Sequence, residues 1–168
     1  MIRMEPTRPH RDRFRANLNE VREELRTEVS KFSDSELDWS PAPDHGMKSV
    51  RAILSEVAAM EGQCSSILLH GKEEDWEVVD NQFKEVKSIR EALELLDAKR
   101  AETIQYLDTD PHSDLQTRVR LPDSWEQYFG TVWVEAEELI SWILRHEYYH
   151  LGQLVIYLWQ TGRNPYKD

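Results

Sequence analysis

The sequence predicts an all-α fold, namely a four-helix bundle with a crossover connection and short extra turns between its helices. Apolar residues recur at intervals of three and four in four long segments, which is the spacing of one face of an α-helix. These segments are bounded by residues typical of helix termini. No segment shows a convincing alternation of apolar and polar residues, so no sheet is predicted.

The first helix carries one continuous apolar stripe of about five turns. The stripe is formed by Phe14, Leu18, Val21, Leu25, Val29 and Phe32. Ser33 and Glu36 then form a capping-box pattern, which predicts a short turn that Pro41 and Pro43 end.

The second and third helices each open at a serine cap. The second is predicted to begin near Ser49 and to stop at Gly71, and the third to begin at Ser88 with Glu91 three positions later. Residues 72–87 between them show little pattern and are predicted to form a polar connection. The apolar positions of the two faces are Val50, Ile53, Leu54, Val57, Cys64, Ile67 and Leu68, and then Ile89, Leu93, Leu96, Ile104 and Leu107.

The fourth helix is predicted to begin within residues 131–135 and to continue to Thr161, with Gly162 beyond it. Before it, residues 108–123 are predicted to form a loop with a short extended piece at residues 117–121. The 168 residues are the size of one domain, so residues 1–168 are predicted to form a single helical bundle domain.

Composition limits the compartment and the partners. The longest apolar run, residues 154–159, is far short of the roughly 20 residues that a membrane helix needs, and no secretory signal is visible. The single cysteine, Cys64, excludes an internal disulfide, and a cytoplasmic location is expected. A net charge of −11 argues against nucleic acid as a partner, and the densest basic segment, residues 3–15, also contains acidic residues.

One flank of the fourth helix carries polar and aromatic residues beside its apolar stripe, all within about 100° of arc. They are Trp142, His146, Tyr149, His150, Gln153 and Tyr157. This composition is typical of the wall of a pocket. Histidines at positions i and i+4 project from adjacent turns, so His146 and His150 can bind one metal ion. The alternative is a pair of half-buried histidines bonded to backbone or carboxylate groups.

The same segment spells HExxH, the zinc-protease motif in which the glutamate is a general base. Two features argue against a protease. Glu147 falls near the centre of the apolar stripe, about 80° from the mean direction of the histidine pair. The 18 residues after His150 offer only the carboxylate of Asp168 as a third ligand.

Three charged residues fall inside apolar stripes of three different helices. They are Glu61, Arg100 and Glu147. Charges directed at one core are costly unless they pair, so a buried structural network is predicted. The alternative is a rotation of one or more helices that brings these charges to solvent.

The third metal ligand cannot be chosen from spacing alone. Glu56 lies at the edge of the second helix's apolar face, His45 lies in the preceding loop, and Glu61 is available if it does not pair with Arg100.

The run from His146 to Leu154, HEYYHLGQL, resembles the HExxHxGQL signature of the DinB-like superfamily, which includes YfiT-type metal-dependent hydrolases. Gly162 and Pro165 match the tail of that signature. Upstream, the run WSPAP that begins at Trp39 and the helix opening at Ser49 are also similar to the family pattern. The resemblance covers most of the chain in order.

The resemblance implies a four-helix bundle, often dimeric, in which three histidines hold a divalent metal. Two of them correspond to His146 and His150, and the third lies seven residues after the opening serine of the second helix. Counting from Ser49 places that ligand at Glu56, so this chain has a glutamate where the family has a histidine. Two histidines and one carboxylate form a competent set for Zn²⁺ or Fe(II), and Ni or Mn also remain open.

The resemblance also implies a function. Characterised relatives include transferases and isomerases that use low-molecular-weight thiols such as bacillithiol, mycothiol or glutathione. The expectation is therefore a metal-dependent thiol S-transferase acting on small electrophiles, with Trp142, Tyr149, Gln153 and Tyr157 around its substrate. The alternatives are a metal-dependent hydrolase and a non-catalytic, dimeric, stress-associated bundle whose metal site is vestigial. Cys64 lies on an apolar face and is expected to pack.

Overall fold

The structure is a computed structural model that describes residues 10–112 and 114–164. Its helices are α1 (His10–Val29), α2 (Val50–His70), α3 (Trp76–Glu85), α4 (Ile89–Thr109), α5 (Glu126–Phe129) and α6 (Ala136–Gln160). The four long ones, α1, α2, α4 and α6, confirm the predicted all-α bundle. The start of the basic segment at residues 3–9, and Pro165 and Asp168, lie outside the described residues.

The helix order around the bundle differs from the order along the chain. Both α1 and α2 pack against α4 and α6. The helices α1 and α2 therefore occupy one diagonal of the bundle, and α4 and α6 occupy the other. The connections from α1 to α2 and from α4 to α6 each cross the bundle, in agreement with the predicted crossover.

The helix ends follow from the sequence. The Ser49 hydroxyl accepts a hydrogen bond from the amide of Ala52 at 3.2 Å, and the Ser88 hydroxyl accepts one from the amide of Glu91 at 3.2 Å. Gly71 ends α2 with a φ of 70°, a left-handed conformation that favours glycine. Ser33 and Glu36 form the predicted capping box at the turn Asp34–Glu36.

Two regions are more regular than predicted. Residues 72–87 contain α3, which Asp75 caps and whose Val79 and Phe83, four residues apart, are buried. The strand β1 (Arg118–Arg120) falls within the predicted extended piece, and it pairs antiparallel with β2 (Trp133–Glu135). The fourth helix consequently begins at Ala136, just after the predicted range, because β2 uses residues 133–135 for the ladder.

A cluster of four charged side chains lies inside the core, one from each long helix. We call Arg22, Glu61, Arg100 and Glu147 the core charge cluster; all four are buried. Arg22 donates to Glu147 and to Glu61, each at 2.6 Å, and Arg100 donates to Glu61 at 2.6 Å and also to Glu147. The predicted network of Arg100, Glu61 and Glu147 is confirmed, and Arg22 is an additional member.

The cluster is electrically balanced, with two guanidinium groups and two carboxylates. Burial alone raises the pKa of Glu61, but the charges of Arg100 and Arg22 outweigh burial and hold that pKa below its ordinary value. Thr103 also donates to Glu61 at 2.8 Å. These contacts tie α1, α2, α4 and α6 to one point at the centre of the bundle.

None of the helices in the described part of the chain combines the length and the apolar character that crossing a lipid bilayer requires.

Candidate metal centre

Three potential metal ligands meet between α2 and α6. Glu56 lies on α2, and His146 and His150 lie on adjacent turns of α6, which packs against α2. One ligand atom from each residue can be chosen so that all three lie within 4.8 Å of one another. We call these three residues the metal triad. They form the one such group among the described residues.

The spacing of the triad fits a divalent metal. The two imidazole Nε2 atoms are 3.2 Å apart, and Nε2 of His150 is 3.6 Å from Oε2 of Glu56. In a tetrahedral zinc site with bonds of 2.0–2.1 Å, two ligand atoms are about 3.3 Å apart. The donor set of two imidazoles and one carboxylate also suits zinc and non-haem iron. The residues present therefore fit the metal that the sequence pattern implies.

The side chain of Gln153 orients His150. Its oxygen lies 2.8 Å from Nδ1 of His150, while its nitrogen donates to the Tyr149 hydroxyl at 3.0 Å. Because the amide oxygen faces the imidazole, Nδ1 of His150 carries the proton and Nε2 keeps its lone pair. Such a hydrogen bond is how proteins fix the tautomer of a metal-binding histidine.

Both histidines are held in the neutral form that binds metals. Burial, with a contribution from His150, lowers the pKa of His146 to about 4. Burial also lowers the pKa of His150, although the hydrogen bond with Gln153 opposes the shift. Protons therefore do not compete for the two ring nitrogens at neutral pH.

The structure separates Glu147 from the triad. Its carboxylate belongs to the core charge cluster and is 1% exposed, so it does not take the general-base position of an HExxH protease. Glu61 is also engaged in the cluster, and the exposed His45 is not part of the metal triad. Of the three candidates for the third ligand, only Glu56 joins the two histidines.

A lysine that the sequence analysis missed lies against the triad. Lys48, in the residues just before α2, pairs through Nζ with Oε2 of Glu56, the same oxygen that faces His150. Tyr157 of α6 donates its hydroxyl to the Lys48 carbonyl at 2.8 Å and so fixes this segment beside the site. The ammonium group of Lys48 consequently competes with a metal for the carboxylate.

Replacing Lys48 with methionine is expected to raise the Zn²⁺ affinity about tenfold, because it removes a positive charge beside the metal position. Competition titration against a chromophoric chelator measures the change. Lys48→Arg keeps the charge and should bind Zn²⁺ as the wild type does. Equal affinities in the wild type and Lys48→Met would contradict competition by Lys48.

A cavity of about 370 Å³ lies one helical turn from the triad. We call it the aromatic cavity; its main walls are Met60, Gln63, Trp76, Trp125, Phe129 and Trp142. Trp142 donates its ring N–H to the sulfur of Met60 at 3.2 Å. Among the four residues predicted to surround a substrate, Trp142 lines this cavity.

The other three predicted pocket residues lie outside that lining. Tyr149 is 63% exposed and contacts Gln153, which in turn orients His150. Tyr157 is buried and anchors Lys48, and burial raises the pKa of its hydroxyl. These three residues therefore support the triad and its surroundings in the structure.

The fold and the site define a class: a helical bundle with a candidate two-histidine, one-carboxylate metal centre between two of its helices. Comparison with protein families adds the second step. The DinB superfamily matches residues 17–154, and the chain belongs to that superfamily. Among curated proteins, no match to this sequence is found.

The residues that sequence reasoning missed differ in how visible they were. Arg22 lies four positions after Leu18, inside the apolar stripe of α1, so helical spacing alone could have predicted a buried charge there. Lys48 gave no local signal, because its contact with Glu56 depends on the fold of the segment before α2. The walls of the aromatic cavity come from four separate stretches of chain, and no spacing connects them.

Proposed function

We propose that this chain is a divalent-metal-dependent enzyme that joins a small thiol, through its sulfur, to an electrophilic small molecule. The observation that carries the proposal is the metal triad, in which one α2 carboxylate and two α6 imidazoles offer ligand atoms that lie within 4.8 Å of one another. Three protein ligands leave coordination positions for an external group. Membership of the DinB superfamily supports the same assignment.

The surroundings of the triad favour thiol chemistry over hydrolysis. Activating water in an HExxH site uses the glutamate as a general base, and here Arg22 and Arg100 hold Glu147 inside the core charge cluster. A divalent metal at the triad would supply positive charge that lowers the pKa of a thiol that binds there. A thiol activated in that way needs no separate base from the protein.

Each residue around the triad then has a defined part. His146, His150 and Glu56 hold the metal, and Gln153 fixes the ring of His150. The Lys48 ammonium offsets part of the Glu56 charge, which limits the loss of metal electrophilicity that a carboxylate in place of the family's histidine causes. Trp142 separates the triad from the aromatic cavity and contacts the small-molecule substrate.

The test uses purified protein, 1-chloro-2,4-dinitrobenzene as the electrophile, and bacillithiol, mycothiol or glutathione in separate reactions. The thiolate sulfur bonds to the ring carbon, the carbon–chlorine bond breaks with loss of chloride, and the thiol proton passes to solvent. The rate of thioether formation, followed by absorbance, is expected to exceed the uncatalysed rate when a thiol and Zn²⁺, Fe²⁺, Ni²⁺ or Mn²⁺ are present. Addition of a chelator should return it to the uncatalysed rate. His146→Ala should lower the rate as much as the chelator does, whereas His45→Ala should leave it unchanged.

The same assay separates the rival functions. Metal-dependent cleavage of p-nitrophenyl acetate without any thiol, together with no thioether formation, would replace the proposal with a hydrolase. No metal-dependent reaction of either kind would favour a non-catalytic bundle. The homodimer and the cytoplasmic location remain predictions.

A further inference from the structure

We infer that the aromatic cavity is the binding site for an uncharged, planar apolar group of the substrate. This assignment gives the class of substrate for the proposed function, and it rests on that function for the statement that the bound group belongs to a substrate of the triad. The cavity itself is a separate structural feature, with a volume of about 370 Å³ that lies in the range of small-molecule sites, about 300–1,000 Å³.

The walls of the cavity present aromatic rings in a fixed arrangement. Trp125 and Phe129 are stacked, with ring centroids 6.1 Å apart and planes 10° apart. Phe129 also contacts Trp142, with centroids 5.0 Å apart and planes inclined by 44°. Such surfaces complement a flat ring through stacking and edge contacts. Trp125 and Phe129 come from one stretch of chain and Trp142 from α6, and Met60 of α2 and Trp76 of α3 complete the walls, so the fold, and not one local motif, builds the cavity.

The polarity of the lining indicates an uncharged ligand. In the described part of the chain, no acidic or basic side chain lines the cavity, and its polar groups are amides and hydroxyls such as those of Gln63 and Ser124. Moving a charged group from water into an apolar site without a partner is costly. A neutral ring, oriented by one or two hydrogen bonds to these polar groups, meets no such cost.

The position of the cavity connects it with the triad. Met60 follows Glu56 by one turn of α2, and Trp142 precedes His146 by one turn of α6. A second cavity of about 270 Å³ is lined by Trp142, Arg145 and His146. Trp142 thus borders both spaces. A substrate whose ring occupies the aromatic cavity has its reactive atom about one helical turn away, beside the triad.

Binding of the neutral probe 5-fluoroindole, followed by fluorine NMR on the metal-free full-length protein, tests the inference. We expect saturable binding, weakened about fivefold or more in Phe129→Ala, which removes a ring wall. Gln63→Glu keeps the size of the side chain but adds a charge, and it should weaken binding similarly. Trp159→Ala changes an exposed aromatic residue near the far end of α6 and should leave binding unchanged.

The cationic probe 5-fluorotryptamine carries the same ring and should bind the wild type more weakly than 5-fluoroindole. Absence of saturable 5-fluoroindole binding to the wild type, unchanged binding in both cavity variants, or tighter binding of the cation would overturn the inference. Circular dichroism confirms that each variant is folded, and Phe129→Leu replaces Phe129→Ala if the latter is not.

The two proposals fail separately. The double variant His146→Ala/His150→Ala should bind 5-fluoroindole as the wild type does, because neither histidine lines the aromatic cavity. Loss of probe binding in that variant would overturn the cavity as an independent site. Probe binding without any metal binding by the wild type would instead contradict the proposed function alone.

Discussion

Replacing Arg100 with methionine is expected to lower the free energy of unfolding by about 3–5 kcal/mol, among the largest effects available in this fold. Arg100 is buried and donates to Glu61 at 2.6 Å and to Glu147. Methionine fills much of the volume but leaves two core carboxylates with only Arg22 as a cation. Removing one partner of a buried ion pair is strongly destabilising because it leaves the other charge in the core without compensation.

Urea denaturation at neutral pH measures this loss. Arg26→Met is the matched control, because Arg26 pairs with the more exposed Asp97 at 2.6 Å and should contribute less than about 1 kcal/mol. An unfolding free energy of Arg100→Met equal to that of the wild type would show that the core charge cluster contributes nothing net to stability.

The same comparison has a predicted pH dependence. The folded-state pKa of Glu61 lies below its ordinary value because of Arg100 and Arg22, so this carboxylate stabilises the wild type above its unfolded pKa of about 4.3. That contribution is lost as the pH falls through the folded pKa. The difference between the wild type and Arg100→Met should therefore stay the same from neutral pH down to about 4.3 and shrink below it, as the pH falls through the folded pKa. A difference that does not shrink below about 4.3 would argue against an electrostatic origin.

Replacing His146 and His150 together with alanine is expected to reduce bound metal from about one ion per chain to less than about a tenth, without unfolding the protein. Both ring nitrogens needed for coordination disappear, while Glu147 and the core charge cluster remain. Glu56→Ala alone should weaken Zn²⁺ binding by more than about 100-fold. Loss of a residue that only orients a metal ligand lowers metal affinity by about 10- to 100-fold, and loss of the ligand itself should cost more.

Elemental analysis after dialysis against Zn²⁺, beside thermal unfolding, measures both parts of this prediction. His45→Ala is the control, since His45 is exposed and lies outside the triad. Full occupancy in Glu56→Ala would exclude Glu56 as the third ligand. A wild type that binds no divalent metal would contradict the metal centre as a whole.

The sequence predicted most of the fold because helix periodicity and caps are local signals. The stripes of α1, α2, α4 and α6 and the caps Ser49 and Ser88 appear as expected. The pairing of β1 with β2 was not predicted, because each strand has only three residues and they are separated along the chain. The helix α3 is short, and its two buried residues, Val79 and Phe83, are too few to predict a helix from spacing alone.

The site was predictable in part, for different reasons. Wheel geometry placed His146 and His150 on one flank and Glu147 on the core side, and the structure agrees. Glu56 came from the family pattern, since nothing in its own neighbourhood distinguished it from His45. The contact of Lys48 with Glu56 and the assembly of the aromatic cavity depend on tertiary packing, which local sequence patterns do not reveal.

The position of Glu147 between His146 and His150 along α6 links the direction of the two imidazoles to the packing of the core. Arg22 and Arg100 bind Glu147 from the core side, and this pairing helps to fix the rotation of α6. The direction of the two imidazoles therefore follows from the packing of the core and does not depend on which residue occupies position 56. Neighbouring positions of α6 thus have two separate roles: Glu147 holds the helix in the core, and His146 and His150 face the candidate metal centre.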